Sequence, residues 1–478
     1  MNAATHPAAA VLDHLAADHD HAVARLKRLL AIPSVSTDPA FAEHVDAAAA
    51  WVASSLEELG MSVEVLRPAG EDGRTGHPVV VATSMPKRVA DDAQHRVLFY
   101  GHYDVQPPDP VAGWTSPPFD PVVRDNKLFA RGASDDKGQV ACFLEALRAY
   151  HATGTPLPCH VTVLIEGEEE CGSVSLPAFL DQHADLLKAD HNTVCVVSDT
   201  SMWDTPPGSD PGYIPAITYA LRGLVYFDVK LHGPSRDLHS GVYGGTLANP
   251  ATELTRVLGK LFDDDHRVTI PGFYDDVTAT SPDEHHAWQR LGFDEHRFTG
   301  DVGSIPFGER GFSTLERRWT RPSCDVNGLY GGYMGEGAKT VIPTFAGAKV
   351  SFRIPAAMDP RKVAQQFTDW LHQHDTGGCR WEITNHGEAS PVATPTDSPW
   401  VAAASRAIEH ASGRPPALVR EGATIPVIAD FKEKLGIDTL LIGFGLNSDN
   451  IHSPDEHFGL DRFLLGCRTH AALLHELK

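Results

Sequence analysis

Histidine and acidic side chains follow several apolar runs of this chain, at the point where each run ends. His102 and Asp104 come directly after Val97–Tyr100, and Asp199 follows Val194–Val197. Ligands of an open α/β sheet bind beyond the carboxyl ends of its strands, so these side chains can converge although they lie far apart in sequence. Histidine and carboxylate ligands together suit zinc, with manganese and cobalt as substitutes.

Three further groups of the same residue types could join such a site. They are Asp135–Asp136 before a predicted helix, Glu168–Glu170 after the apolar run Val161–Ile165, and His452 after the predicted strand Thr439–Phe444. Simpler interpretations of the five sites remain open: a metal-free His–Asp hydrogen bond at His102, helix capping at Asp135 and a solvated loop at the glutamates. Asp199 or His452 alone is only a weak indication of a metal site, whereas the five sites together are a stronger one. A cation would relieve the repulsion between adjacent glutamates, and a carboxylate of raised pKa would suit a general base.

The elements that must position these residues alternate between strands and helices. Short continuous apolar runs predict buried strands, and apolar residues at helical spacing predict helices. This alternation predicts an α/β sheet with helices on its faces. The predicted helices span 11–31, 41–59, 139–151 and 460–476, and the predicted strands are Val79–Ala82, Val97–Tyr100, Val161–Ile165, Val194–Val197 and Thr439–Phe444.

The middle of the chain has a different pattern and predicts a separate α+β module of ferredoxin-like type. Its predicted elements are a half-exposed strand at Tyr226–His232, a helix opened by Asn249-Pro250, a strand at Ala346–Ile354, a helix opened by Asp359-Pro360 and a strand near 379–385. The stretch 265–335 is rich in Gly, Pro, Asp and His, and no element is predicted there. We expect a catalytic α/β domain in residues 1–212 and 396–478, interrupted by the module in 213–395.

The composition argues against several kinds of partner. Forty basic and 63 acidic residues give a net charge of −23, which disfavours binding to nucleic acid or to an anionic membrane. The seven cysteines include no CxxC pair, which is typical of reduced, mostly buried thiols in a reducing compartment. We see neither a signal peptide nor an apolar run long enough to span a bilayer, and we expect a cytoplasmic protein.

Seven motifs follow one another along the chain. They are GHYDVQP at 101–107, ARGASDDKG at 130–138, EGEEECGS at 166–173, SDTSMW at 198–203, DLHSGVYGG at 237–245, GAKTVIP at 337–343 and REGATIPV at 420–427. Their sequence and order resemble the M20 family of metallopeptidases, and in particular its carnosinase-like, cytosolic nonspecific dipeptidase branch. The signatures HExxH, GxSxG, GxxxxGK[ST] and GxGxxG of other catalytic classes are absent.

The resemblance implies a site for two divalent cations, Zn²⁺ first and Mn²⁺ or Co²⁺ as alternatives. His102 and Asp199 would hold one ion, Glu170 and His452 would hold the other, and Asp135 would bridge them. In this family the peptide bond that follows the bridging aspartate is typically cis. Two such ions activate a water molecule and stabilise the oxyanion of the transition state.

The resemblance also implies roles for residues that do not bind metal. Glu169 would be the general base, and Asp104 would support the imidazole of a metal ligand. His239 would polarise the substrate carbonyl, in family dimers from the partner subunit, and Arg353 would hold the substrate carboxylate. Thr340 and Thr424 match positions that contact substrate, although relatives often have Ser after Gly-Gly at 424.

The reaction implied is hydrolysis of dipeptides by a homodimer with a lid domain. The alternative is an N-acyl-amino-acid deacylase or carbamoylase of the same superfamily. A long lid and the motif DLHSGVYGG favour the dipeptidase.

Overall fold

The computed structural model describes residues 8–70, 73, 75–206, 208–209 and 211–478. Its contacts divide the chain into two units. Unit 1 comprises the described residues up to Tyr219 with Thr394–Val419 and Asp430–Lys478, and unit 2 comprises Ala220–Ala393 with Arg420–Ala429. The expectation of no signal peptide rests partly on residues 1–7, which lie outside the described residues. Among the described helices, none has both the length and the apolar character needed to cross a membrane.

Strands and helices alternate along the described chain. The strands are β1 (Ser62–Leu66), β2 (Val79–Thr83), β3 (Arg96–His102), β4 (Val122–Arg124), β5 (Lys127–Phe129), β6 (His160–Glu166), β7 (Thr193–Val197), β8 (Trp203–Asp204), β9 (Tyr213–Ile214), β10 (Ala216–Leu221), β11 (Gly223–His232), β12 (Leu238–His239), β13 (Ser323–Gly331), β14 (Val341–Ile342), β15 (Phe345–Ile354), β16 (Arg380–Ala389), β17 (Val392–Ala393), β18 (Ala417–Glu421), β19 (Asp438–Leu441) and β20 (His457–Gly459). The helices are α1 (Ala9–Ala17), α2 (His19–Leu30), α3 (Ala42–Glu58), α4 (Lys137–Thr153), α5 (Leu176–Leu187), α6 (Ser240–Tyr243), α7 (Pro250–Leu258), α8 (Pro282–Gln289), α9 (Glu295–Gly300), α10 (Thr314–Trp319), α11 (Pro360–His372), α12 (Pro399–Ser412), α13 (Pro426–Asp430) and α14 (Leu460–Glu476).

Unit 1 is built on a mixed sheet with the strand order β1-β2-β6-β3-β7-β19-β10. The central strands β6, β3, β7 and β19 are parallel to one another, whereas β1, β2 and β10 run antiparallel to their neighbours. Alternate residues of the central strands pack in one apolar core with side chains of α1, α3, α4, α12 and α14. Because these strands are buried on both faces, their sequences are continuous apolar runs, which is how they were recognisable.

Two of the predicted elements of unit 1 differ from the structure. The predicted helix 11–31 is two helices, because Asp18 leaves the helical conformation between α1 and α2 and its carboxylate accepts hydrogen bonds from His21 and Arg25. Short acidic side chains favour such helix ends over helix interiors. The predicted strand Thr439–Phe444 is shorter and ends at Leu441, whereas the helix predicted at 460–476 is confirmed by α14.

Unit 2 contains a four-stranded antiparallel sheet in the order β13-β15-β11-β16. Along the chain, its main elements follow the sequence β11-α7-β13-β15-α11-β16, which is the ferredoxin-like pattern. The helices α8, α9 and α10 lie between α7 and β13. The mixed α/β class and the ferredoxin-like module were predicted, but β13 was not, because its sequence SCDVNGLYG alternates poorly and it lies at an exposed edge.

The central strand β15 of unit 2 provides a test of the packing. Val350 is fully buried, and it lies directly opposite Val326 of the edge strand, which is 39% exposed. Val350→Ala should lower the free energy of unfolding by about 2–3 kcal/mol, since it removes two buried methyl groups and leaves a cavity. Val326→Ala is the matched control and should cost well under half as much. Urea denaturation followed by circular dichroism measures both, and equal costs would contradict the packing described.

Candidate metal centre and substrate-binding residues

The predicted metal ligands lie together at one edge of the unit 1 sheet. β3 ends at His102, β6 ends shortly before Glu170, and β7 ends just before Asp199. These three strands are parallel, hydrogen-bonded neighbours, so their carboxyl ends meet. Asp135 stands just before α4, and His452 lies in the loop that follows β19.

The first cluster contains His102, Asp135 and Asp199, whose ligand atoms all lie within 4.8 Å of one another. His102 Nε2 is 3.2 Å from Asp135 Oδ1 and 3.9 Å from Asp199 Oδ2. The ring is fully buried, and within the described residues this nitrogen has no hydrogen-bond partner. A buried ring nitrogen that faces two carboxylates without a hydrogen bond of its own is placed as a metal ligand would be.

The second cluster contains Asp135, Glu170 and His452, within the same limit of 4.8 Å. His452 Nε2 is 2.9 Å from Asp135 Oδ2 and 3.4 Å from Glu170 Oε2. Asp135 thus presents Oδ1 to His102 and Oδ2 to His452. A carboxylate shared in this way can bridge two cations.

Burial and mutual repulsion dominate the electrostatics of the two clusters. Burial, with the nearby carboxylates, raises the pKa of Asp199 to about 7 and that of Glu169 to about 9. Burial opposes ionisation of Asp135 as well, but the adjacent imidazoles of His102 and His452 outweigh it and hold the pKa of Asp135 below the ordinary value. Burial likewise disfavours the charged form of His102, yet the adjacent carboxylates of Asp104 and Asp135 raise its pKa well above the usual range.

The donor set fits divalent cations. Each cluster offers one histidine nitrogen and two carboxylate groups, a mixture that zinc accepts and that manganese and cobalt also accept. The carboxylates repel one another at a buried site, and positive charge between them would remove that repulsion. Unit 1 by itself therefore carries a candidate site for two ions.

Asp104 and Glu169 lie beside the two clusters. His102 Nδ1 is 3.1 Å from the backbone oxygen of Asp104 and 3.3 Å from its Oδ1, while Asp104 Oδ2 accepts a hydrogen bond of 3.1 Å from the backbone N–H of Glu170. Glu169 begins a short 3₁₀ turn directly before Glu170. The peptide bond between Asp135 and the next residue is cis, as the family resemblance implied.

Two of the four predicted substrate-binding residues lie at a two-stranded sheet of unit 2, His239 in β12 and Thr340 directly before β14. β12 pairs with β14 so that His239 lies opposite Val341, the residue after Thr340. The Ser240 backbone N–H donates to the Thr340 carbonyl over 3.2 Å. His239 is exposed, and its Nδ1 accepts a hydrogen bond of 3.0 Å from the Gly241 backbone N–H. The other ring nitrogen, Nε2, takes no part in this bond.

The other two predicted substrate-binding residues contact each other in unit 2. Arg353 Nη1 donates to Thr424 Oγ1 over 2.7 Å, and the Thr424 hydroxyl donates to the Arg222 carbonyl over 2.5 Å. Burial lowers the pKa of Arg353. A guanidinium has five N–H donors, and within the described residues Arg353 forms no hydrogen bond to a carboxylate. Its role toward a substrate stays a prediction.

The sequence and the fold were compared with known proteins. Residues 98–476 match the model of peptidase family M20/M25/M40. The chain belongs to this family. The peptidase is 33% identical over 469 residues to a Cys-Gly metallodipeptidase of Schizosaccharomyces pombe, with 96% of each chain covered. It is 31% identical over 485 residues to the human β-Ala-His dipeptidase, covering 98% of this chain and 92% of the relative.

A solved structure supports the same assignment. An M20 family metallo-carboxypeptidase from Sulfolobus solfataricus is similar to the peptidase with a TM-score of 0.81 and 30% identity, covering 96% of this chain and 99% of the other. The resemblance found in the motifs is confirmed, and the protein is a hydrolase of the metallopeptidase class.

Two residues that support the candidate metal ligands of the peptidase were not predicted from the sequence. Gln106 donates from its backbone N to Glu170 Oε1 over 3.0 Å and from its side-chain amide to Oε2 over 2.7 Å. His470, fully buried in α14, lies 3.0 Å from the hydroxyl of Ser198, the residue before Asp199. Gln106 could have been found, because it belongs to the motif GHYDVQP. His470 could not have been found, because it is a single histidine in an apolar helix. No pattern in the sequence indicates that it lies next to Ser198.

Metal binding to these clusters should stabilise the peptidase. Ions that bind the native state alone add about 2.7 kcal/mol at a hundredfold excess over Kd. Thermal unfolding of metal-free protein should therefore shift to a higher Tm when Zn²⁺ is added, and His102→Ala should remove most of that shift. His21→Ala, at an exposed position of α2, is the control and should keep it. An undiminished Zn²⁺ effect in His102→Ala would remove this residue from the site.

Proposed function

We propose that the protein is a dipeptidase that uses two divalent cations, Zn²⁺ in the first place and Mn²⁺ or Co²⁺ as alternatives. The observation that carries the proposal is the sharing of Asp135 between two ligand clusters. His102 and Asp199 would hold one ion, and Glu170 and His452 the other. Bound there, two ions would supply Lewis acidity and lower the pKa of a water molecule to about 7.

Glu169 would take the proton from that water and deliver it to the leaving amine. Its side chain is partly buried and interacts with the charges of His102, Asp199 and Asp135, which supports this role. Burial raises its pKa to about 9, which gives it a higher proton affinity than a surface glutamate has. Two cations beside it would lower that pKa toward neutrality, where a carboxyl group can both accept and return a proton. Asp104 would keep His102 oriented through its contacts with Nδ1.

Unit 2 would select the substrate. Arg353, held by Thr424, would pair with the free carboxylate of the substrate, for which a guanidinium offers two parallel hydrogen bonds. His239 and Thr340 would contact the carbonyl of the scissile bond and its surroundings. A dipeptide carries its carboxylate one residue from the scissile bond, whereas an internal bond of a long chain has none nearby. The names of the relatives, which specify Cys-Gly and β-Ala-His, support this substrate class.

Unit 2 would also serve as a lid and as the dimerisation domain. It exposes several large apolar side chains, and such side chains are typical of surfaces that another protein covers where they form one patch. They are Val302 (78% exposed), Met334 (76%), Ile305 (74%), Phe307 (72%) and Leu329 (59%). We propose a homodimer in the cytoplasm, where the seven free cysteines would stay reduced. A small peptide would be its substrate, with neither nucleic acid nor membrane as a partner.

Hydrolysis of a matched panel tests the substrate class. Metal-free protein reloaded with Zn²⁺ or Mn²⁺ should cleave dipeptides such as Cys-Gly and β-Ala-His, and it should cleave N-acetyl amino acids and tripeptides much more slowly. Liberated amine is measured for each. Preference for the acetylated compounds would keep the metal site but make the protein a deacylase, and preferential release of single C-terminal residues from tripeptides or longer chains would make it a carboxypeptidase.

Removing the proposed base should separate chemistry from metal binding. Glu169→Gln keeps the size of the side chain but cannot accept the proton, so kcat should fall by about 10²- to 10⁴-fold with metal content near that of the unaltered protein. Glu145→Gln is the control: it removes another buried carboxylate, which pairs with Arg25, and kcat should stay unchanged. Unchanged turnover in Glu169→Gln would take this residue out of the mechanism.

A further inference from the structure

Three backbone N–H groups of the loop that carries Asp135 converge on one buried carboxyl group, that of Glu456. Glu456 Oε1 accepts hydrogen bonds from the backbone N–H groups of Ser134 and Asp135 over 2.9 and 3.1 Å. Its Oε2 accepts from the backbone N–H of Gly132 over 3.0 Å and from Arg131 Nη1 over 2.7 Å. Glu456 is fully buried. All four hydrogen bonds therefore form away from water, where charge-assisted bonds are strong.

The shape of this loop requires hydrogen-bond acceptors at that place. Gly132 has a φ of +81°, and a Cβ there would lie 2.7 Å from a methyl group of Val105. With this backbone, the N–H groups of Gly132, Ser134 and Asp135 converge on one point. Convergent backbone N–H groups form a concave site that suits a carboxylate, and here the chain itself supplies the carboxyl oxygens of Glu456. The loop would otherwise bury three unpaired donors, at about 1–3 kcal/mol each.

One short segment serves both the loop and the second cluster. Glu456 follows His452 by four residues, so the segment that supplies a ligand also anchors the loop of Asp135. The start of this segment is fixed independently. Asp449 forms a bidentate ion pair with Arg462 at 2.6 and 2.7 Å. It also accepts a hydrogen bond of 3.0 Å from Ser134 Oγ. Glu456 thus holds the loop that carries Asp135 against the segment that carries His452.

We propose that Glu456 is a positioning residue that fixes Asp135 before any ion arrives and thereby sets the affinity for both ions. This inference rests on the proposed two-ion function. Asp135 belongs to both clusters, so a displacement of its loop weakens both. Ionised carboxylates at the site repel one another, and a loose loop would let Asp135 move away from Asp199 and Glu170. Glu456 opposes that movement without contacting the ions.

The variant Glu456→Gln tests the proposal most directly. An amide has one oxygen and one NH₂ group, so in either orientation the NH₂ faces N–H donors that the carboxylate had satisfied. Glu145→Gln is the matched control, since Glu145 also accepts two hydrogen bonds in the interior, at 2.7 and 2.6 Å from Arg25, but lies on α4 away from the loop. Ser198→Ala is a second control. It breaks the contact with His470 beside Asp199, which belongs to the first cluster alone.

Titration of the metal-free proteins with Co²⁺, followed by calorimetry and by the visible absorbance of the bound ion, gives a Kd for each of the two steps. Glu456→Gln should weaken both steps by about 10- to 100-fold, which is the usual effect of losing a residue that supports metal ligands. Ser198→Ala should weaken one step, and Glu145→Gln neither, although its Tm should fall. Two unchanged steps in Glu456→Gln, or only one weakened step, would overturn the proposal. Fewer than two ions bound by the unaltered protein would instead overturn the two-ion function.

Hydrogen exchange on the unaltered protein decides the question even if Glu456→Gln does not fold. A loop held by Glu456 keeps its amides protected without metal, so peptides that cover residues 131–136 should exchange slowly in metal-free protein. Added Co²⁺ should slow them only slightly further. Rapid exchange that becomes slow only when Co²⁺ binds would mean that the ions order the loop, and Glu456 would not be its positioning residue.

Discussion

Several buried carboxylates held close together are the constraint on which the structure of unit 1 depends. Asp135, Glu169, Glu170 and Asp199 come together where water screens their charges only weakly, and their repulsion favours separation. The fold opposes this separation, because each carboxylate is next to a strand or helix that is packed against its neighbours. The parallel strands β6, β3 and β7 form the centre of the sheet, so a shift of one ligand would require a shift of the whole ladder.

The contacts that hold the ligands use mainly the backbone and leave the ligand atoms free. Asp104 accepts from the N–H of Glu170, and Glu456 accepts from the N–H of Asp135. His102 Nε2 stays without a hydrogen bond because its ring is oriented through Nδ1. The exception is Gln106, which donates to both oxygens of Glu170 and reduces the repulsion that this carboxylate feels. The site is thus rigid while its coordinating atoms keep the capacity to bind cations.

The sequence predicted the α/β class, the ferredoxin-like module and most helices, because buried parallel strands and amphipathic helices leave periodic patterns. The strand β13 left no such pattern, since an exposed edge strand needs few apolar residues. The five predicted metal ligands come together in the structure, while their roles remain predictions. Glu456 could not be predicted, because its function depends on a contact with backbone N–H groups 321 to 324 positions away.

Residues outside the two metal clusters must determine which peptides the enzyme accepts. Dipeptidases and a carboxypeptidase share this family and this fold, so the clusters of unit 1 do not fix the length of the peptide. Thr424 illustrates where the difference can arise. Its hydroxyl donates to the Arg222 carbonyl and accepts from Arg353, so it has little capacity left for a substrate. Whatever Thr424 contributes to recognition would therefore pass through the orientation of Arg353. A serine there could form the same two bonds but lacks the methyl group that restricts the threonine rotamer.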